Sequence, residues 1–234
     1  MRLWRALADL ARAFGDSESW CLIGGLMVQV YAFEHGVAPR PTRDIDLLGD
    51  ARSRPSATEQ LAGVVTELGG DRETPPATDP KLGYRFKMGG LLVEILGPEG
   101  LKTPAKTLGG LETIEVRGGT QALRRAQTVS ISVAGAEPMP IRVPSLLGAI
   151  LLKARALRVA RRRFDQHRYD LILLLSLVES PRGLAAEEQL SARERRWLAE
   201  VQGDLGLPDP ALGDRFSTAQ LERAQQVFDL LVRG

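Results

Sequence analysis

Cysteine and histidine are nearly absent from this chain of 234 residues, which has 1 cysteine and 2 histidines. One cysteine excludes an internal disulfide and fits a reducing compartment. Because Cys21 lies in the apolar run Trp20–Ile23, we expect its thiol to be buried and unreactive. His35 and His167 are isolated in the sequence, and with a single cysteine they form no zinc-binding set.

Long apolar runs are also absent. No stretch reaches the roughly 18 to 20 apolar residues that span a bilayer. Residues 1–5 are not followed by the uninterrupted apolar segment of a signal peptide. The sequence therefore predicts a cytoplasmic protein without a membrane partner. The net charge of +2 is too small to indicate any partner by itself.

Lysine is rare, with 5 residues against 26 arginines, and basic charge is concentrated in one stretch. Residues 153–168 carry 7 basic side chains against Asp165 alone. Arg155, Arg158 and Arg162 fall on one face of a helix, which would suit contacts with RNA phosphates. A solvated helix face is the alternative. Aromatic residues are scarce in this stretch, so no base-stacking platform is predicted.

The hydrophobic pattern predicts an α/β or α+β first part up to residue 143 and a helical part over residues 144–234. Trp20–Ile23 is predicted as a buried strand, and Leu26–His35 as a helix. Two apolar segments on either side of Gly89-Gly90 predict a β-hairpin.

The pattern also predicts finer details of the first part. Ala57–Leu68 is predicted as a helix with Ser56 as its N-cap. Asp71–Pro80, rich in proline, threonine and aspartate, is predicted as an exposed loop. Gly97–Gly119 is predicted as a connection that contains one short strand.

The clearest chemical signal is the segment Asp44-Ile45-Asp46. In a strand, Asp44 and Asp46 project from one face while Ile45 and Leu47 point to the other. Neighbouring carboxylates repel each other unless a cation lies between them. Their oxygen atoms suit Mg²⁺ or Mn²⁺, which keep waters and substrate phosphates as further ligands. An acidic strand end that faces solvent is the alternative.

Two glycines and a third acid add to this signal. Gly24-Gly25 separates a predicted strand from a predicted helix, where glycine lets the backbone approach a ligand and the helix start attracts an anion. A simple tight turn is the alternative. Glu94 lies within the apolar segment Leu91–Leu96, and a buried charge there needs a partner or a metal.

A single lysine is found in the apolar helix that begins the second part. Lys153 follows Leu151 and Leu152, and a surface lysine whose stem lies along the helix is the simplest interpretation. Asp170 lies on the next predicted helix. An ordinary salt bridge between the two helices would explain that pair without any catalytic role.

Together these segments resemble the nucleotidyltransferase superfamily, and more narrowly the AbiEii/AbiGii toxin-type nucleotidyltransferases of abortive-infection and toxin–antitoxin systems. Members typically have two small residues after the first strand, then R-x-T-x-D-I-D-L, then a helix carrying lysine, then an acid followed by Y-D-L. Here the corresponding segments are Gly24-Gly25, residues 40–47, Lys153, and Asp165 followed by Tyr169-Asp170-Leu171.

The resemblance implies an α+β fold, with an α/β-like nucleotidyltransferase core whose mixed sheet is flanked by helices. It implies that residues 1–143 form this catalytic core and that the helical residues 144–234 complete the cleft. The implied reaction moves a nucleoside monophosphate from an NTP to an acceptor hydroxyl and releases pyrophosphate. Mg²⁺ or Mn²⁺ would be the cofactor.

The resemblance also assigns roles to individual residues. The implied catalytic residues are Asp44, Asp46, Glu94, Lys153 and Asp170, and the first three would bind the metal. The implied nucleotide-binding residues are Gly24, Gly25, Arg43 and Lys153. Glu94 stands where aspartate is commoner in the family, and it would also be the general base. Asp170 would orient Lys153.

The acceptor is left open by the sequence. The resemblance implies a toxin that acts on a hydroxyl of RNA or protein, with a cognate antitoxin as partner. Some relatives modify the acceptor end of tRNA, so tRNA is the first candidate. One alternative is a small-molecule transferase similar to the aminoglycoside nucleotidyltransferases. The other is a catalytically silent nucleotide- or RNA-binding module of the same fold, against which the complete set of acids argues.

Overall fold

The structure is a computed structural model that describes residues 2–15, 18–133, 137–159, 164–207 and 212–233, without the side chains of residues 185–187. The chain forms two compact units. The first comprises Met1–Met27 and Arg40–Ser145, and the second comprises Val28–Pro39 and Leu146–Gly234. The sequence predicts a single division after residue 143, whereas here the segment from residue 28 to residue 39 groups with the second unit.

The first unit is built on a mixed sheet. Its strands are β1 (Trp20–Ile23), β2 (Asp44–Gly49), β3 (Gly70–Arg72), β4 (Arg85–Met88), β5 (Leu91–Pro98) and β6 (Glu115–Val116). The order is β1-β2-β5-β4-β3, and β6 pairs with the end of β5. β2 and β5 run parallel, while β1, β4 and β3 pair antiparallel with their neighbours. The predicted mixed sheet is confirmed.

Helices and a separate hairpin accompany this sheet. The helices are α1 (Arg2–Phe14), α2 (Gly24–Glu34), α3 (Ala57–Glu67) and α4 (Gly119–Arg124), and the hairpin strands are β7 (Ala126–Ile131) and β8 (Met139–Pro144). Helix α2 begins in the first unit and ends in the second. The residues that join β7 to β8 include 134–136, which lie outside the described residues.

Alternation along the strands produces the core of this unit. Ile45 and Leu47 of β2 and Val93 and Ile95 of β5 are fully buried, as the period of two predicts. The predicted hairpin is also confirmed, since β4 and β5 pair antiparallel around Gly89-Gly90, both at positive φ. Two residues at positive φ form the tight turn that suits the twist of the strands.

Two local predictions need correction, and one short helix was not predicted. Ser56 makes no side-chain cap to α3, because its backbone is not in the extended conformation of a capping residue. The expected loop Asp71–Pro80 contains the end of β3, where pairing with β4 overrides the weak strand propensity of its sequence. The short helix α4 has no periodic apolar signal in its six residues and was not predicted.

The second unit is helical within the described residues. Its helices are α5 (Leu146–Val159), α6 (Phe164–Ser176), α7 (Pro181–Glu187), α8 (Ala192–Ala199), α9 (Gln202–Leu205) and α10 (Thr218–Arg233). α6 packs on α5 and α10, and α8 packs on α5 and α10. None of the helices in the described part of the chain is long and apolar enough to cross a membrane.

Cys21 provides a direct check of the first unit. Its side chain is fully buried in β1, and burial raises the pKa of the thiol far above its ordinary value. Since the thiolate is the reactive form, we expect no reaction with Ellman's reagent in the native protein and one thiol per chain in denaturant. A fast reaction of the native protein would contradict the buried strand.

Candidate active site

The two aspartates of β2 lie on one face of the mixed sheet. Asp44 and Asp46 are partly exposed, whereas Ile45 between them is fully buried. This is the alternation that the sequence predicts, with the apolar side chains in the core and the carboxylates on the opposite face. Arg43, which precedes the strand, is exposed.

The third acid lies directly beside this pair. β5 runs parallel to β2 in a register that places Glu94 opposite Asp46 and Leu92 opposite Asp44. Side chains that are opposite each other on neighbouring strands share one face of the sheet. The structure therefore brings Asp44, Asp46 and Glu94 to one face of the first unit.

Glu94 has a cationic partner that was not predicted. Arg85 lies opposite Glu94 on β4, and its Nε donates to Glu94 Oε1 over 2.8 Å. Burial opposes the charge of Arg85, but Glu94, with smaller contributions from Tyr84 and Glu73, outweighs this effect, so the pKa of Arg85 is raised. A sequence signal existed, because the two-residue turn at Gly89-Gly90 fixes this pairing of the two strands.

The donor set fits a hard divalent cation. Asp44, Asp46 and Glu94 offer only carboxylate oxygens, which Mg²⁺ and Mn²⁺ prefer. Among the described residues, no three acidic, histidine or cysteine side chains are already grouped closely enough to hold a metal ion. In this conformation Arg85 occupies one of the Glu94 oxygens, so a cation that bound both oxygens would have to take Oε1 from Arg85.

The glycine pair brings backbone against the acidic strand. Gly24 has a φ of +72°, and a Cβ at this position would lie 1.6 Å from Asp46 Oδ2. At Gly25 a Cβ would lie 2.7 Å from Thr42 Oγ1 and 3.4 Å from an Arg40 nitrogen. Glycine is therefore required at both positions for the start of α2 to approach β2 and the preceding loop.

Replacing Gly24 by alanine tests this approach. In Gly24→Ala the methyl group would displace Asp46 and strain the backbone, so we expect about 1–3 kcal/mol of destabilisation and about a 10²-fold loss of transfer activity from the misplaced acid. Chemical denaturation and a transfer assay measure the two effects.

Gly63 provides the matched control for this substitution. It lies in α3, and a Cβ added there would have no atom within 4 Å. Gly63→Ala should therefore stabilise the protein by about 0.5–1 kcal/mol and leave activity unchanged. Equal effects of the two substitutions would show that Gly24 has no special relation to Asp46.

The remaining predicted site residues lie in the second unit. Lys153 Nζ of α5 donates to Asp170 Oδ2 of α6 over 2.8 Å. The two side chains are 4% and 0% exposed, so Lys153 is not the surface lysine that the simplest interpretation expects. A buried ammonium and carboxylate at this distance neutralise each other, and each depends on the other.

Comparisons with known proteins agree with this fold. The family model described as "Nucleotidyl transferase AbiEii toxin, Type IV TA system" matches residues 5–229. The crystal structure of ANT(2")-Ia in complex with adenylyl-2"-tobramycin is similar with a TM-score of 0.51 and 16% identity, covering 87% of this chain and 98% of that chain.

A solution structure of ANT(2")-Ia matches with a TM-score of 0.39 and 16% identity, covering 78% of this chain and 92% of that chain. No protein of curated function matches the sequence significantly. The family match covers nearly the whole chain and agrees with the α+β fold, in which Asp46 lies opposite Glu94 and against Gly24. The chain belongs to the AbiEii family of nucleotidyltransferase toxins and is a nucleotidyltransferase.

Proposed function

We propose that this nucleotidyltransferase depends on Mg²⁺ or Mn²⁺ and transfers a nucleoside monophosphate from an NTP to a hydroxyl of RNA, with tRNA as the first candidate. The observation that carries the proposal is the register of β2 and β5, which places Glu94 beside Asp46 on the face that also carries Asp44. The protein would act as the toxin of a two-gene system with a cognate antitoxin, as its family description implies.

The three carboxylates are the proposed metal ligands. When bound there, the cation would stabilise charge on the attacking and leaving oxygens of an in-line displacement at the α-phosphate. Glu94 would also accept the proton of the incoming hydroxyl. Its position on a central strand of the sheet limits its movement, which suits a residue that must be held in place.

The triphosphate would be bound by backbone and basic side chains. Gly24 and Gly25 open α2, whose first N–H groups suit phosphate oxygens. Arg43 and Lys153 would neutralise the triphosphate, with Asp170 orienting Lys153. The support for Lys153 is the family resemblance alone, because in this structure its side chain is 4% exposed and its ammonium is paired with the Asp170 carboxylate at 2.8 Å.

The basic stretch at residues 153–168 does not support the proposal of an RNA acceptor. Arg155 donates to Glu200 over 3.0 Å and its guanidinium lies 5.0 Å from the Trp197 ring centroid, with its side chain 15% exposed. Arg158 is exposed, and Arg162 lies outside the described residues. Arg155, the first of the three predicted RNA-contacting arginines, therefore already pairs within the protein. The proposal of an RNA acceptor is supported by the family alone.

A small-molecule acceptor is the second candidate. It is favoured by the likeness to ANT(2")-Ia, whose crystal structure contains adenylyl-2"-tobramycin and matches over nearly all of its own length. The same acids would serve either acceptor, because the chemistry at the α-phosphate is the same.

One experiment separates the acceptors. The protein is incubated with Mg²⁺ and each α-³²P-labelled NTP, in the presence of total tRNA, ribosomal RNA or tobramycin. We expect label in the tRNA fraction with one preferred nucleotide. Label in tobramycin alone would support the small-molecule function, and label in no acceptor would favour a catalytically silent module.

A further inference from the structure

Three charged side chains form a row across the sheet of the first unit. Asp46 on β2 lies opposite Glu94 on β5, and Glu94 lies opposite Arg85 on β4. Opposed residues on neighbouring strands share a face, so Glu94 is between an acid on one side and a base on the other. A cation bound between Asp46 and Glu94 would therefore compete with Arg85 for the Glu94 carboxylate.

The two side chains of the Arg85–Glu94 contact differ in their exposure to solvent. The Glu94 side chain is 11% exposed, whereas that of Arg85 is 42% exposed. Arg85 also lies over the Tyr84 ring, 5.1 Å from its centroid, and such a contact holds a guanidinium after it loses a carboxylate. Arg85 can therefore leave Glu94 for solvent and the ring, while Glu94 stays near Asp46.

The geometry points to Arg85 as a positioning residue that sets the affinity of the acid cluster for divalent cations. This inference rests on the proposed metal site. Arg85 holds Glu94 Oε1, so a cation must either displace the guanidinium from this oxygen or bind through Oε2 with a positive charge beside it. The arginine keeps the buried carboxylate compensated when no cation is bound, and in either case it weakens cation binding, by loss of the contact or by repulsion between like charges.

Binding of Mn²⁺ to the full chain tests the inference without relying on activity. Free Mn²⁺ is followed by electron paramagnetic resonance for the wild type and for Arg85→Gln. Loss of a competing, partly exposed ion pair should tighten Mn²⁺ binding by about three- to tenfold. In the background of Glu94→Gln the same arginine substitution should change the affinity by less than about twofold.

Lys87 provides a control for general charge effects. It is two residues from Arg85 on the same strand and face, but it pairs with Glu73 over 3.0 Å and lies opposite Leu92. Lys87→Gln removes the same charge without touching Glu94, so the Mn²⁺ affinity should remain within about twofold of the wild type. An equal gain in Lys87→Gln and Arg85→Gln would overturn the specific role of Arg85.

Other results of the Mn²⁺ experiment would contradict either this inference or the metal site itself. Unchanged or weaker Mn²⁺ binding in Arg85→Gln would overturn the inference while leaving the metal site itself in place. Absence of Mn²⁺ binding in every variant, with an NTP present, would overturn the proposed metal-dependent function as well. Arg85→Lys serves if Arg85→Gln fails to fold, because an ammonium lacks the Nε contact and should give an intermediate gain.

Discussion

Asp46→Ala is expected to abolish nucleotidyl transfer while the protein remains folded. Asp46 is on the polar face of β2, beside Glu94 and against Gly24, so it adjoins both the third acid and the glycine pair of the proposed site. Loss of a metal ligand removes several kcal/mol of transition-state stabilisation, which corresponds to a fall of about 10³-fold or more in rate. A transfer assay under saturating NTP measures this loss.

Folding should be little affected, because the substitution removes a charged side chain from a partly exposed position and no core volume. We expect the melting temperature to stay within about 3 °C of the wild type. Asp71→Asn is the matched control, an exposed acid on β3 of the same sheet, and should retain full activity. Near wild-type transfer in Asp46→Ala would reject the proposed site.

Substitution of Lys153 should affect stability and activity together. Lys153→Ala leaves the fully buried Asp170 carboxylate without its partner at 2.8 Å, and loss of one member of a buried pair destabilises by about 3–5 kcal/mol. Chemical denaturation measures this change. Activity loss in this variant alone would therefore not separate a catalytic lysine from a structural one.

The double variant Lys153→Met/Asp170→Leu separates the two roles. Replacing a buried ion pair by apolar side chains of similar size is commonly neutral or stabilising, so we expect a free energy of unfolding near or above that of the wild type. If Lys153 binds the triphosphate, transfer should still be about 10²-fold lower or worse. Wild-type activity in a stable double variant would assign the pair a structural role only.

The sequence alone predicts that Asp44 and Asp46 share one face of β2, because side chains on a strand alternate with a period of two. Asp44 and Asp46 alternate with the buried Ile45, and no knowledge of neighbouring strands is needed to see it. The pairing of β2 with β5 is different, because the two strands are far apart in the chain and no local pattern fixes a parallel register. That register is what brings Glu94 to Asp46.

The environments of single charges were the least predictable features. Whether Lys153 is exposed or buried depends on how α5 and α6 pack, and the apolar residues around it fit either arrangement. Arg85 was missed although the hairpin that carries it was predicted. The short turn dictates that Arg85 faces Glu94, so counting outward from Gly89-Gly90 would have identified the pair.

The chemical fate of the two ends of the triphosphate tests the central claim most directly. Parallel reactions contain the protein, Mg²⁺, tRNA and the preferred NTP labelled with ³²P at either the α- or the γ-phosphate. We predict label in the RNA from the α-phosphate only, label in pyrophosphate from the γ-phosphate, and neither product with Asp46→Ala. Label in the RNA from the γ-phosphate, or α-label transfer that persists in Asp46→Ala, would contradict nucleotidyl transfer at this site.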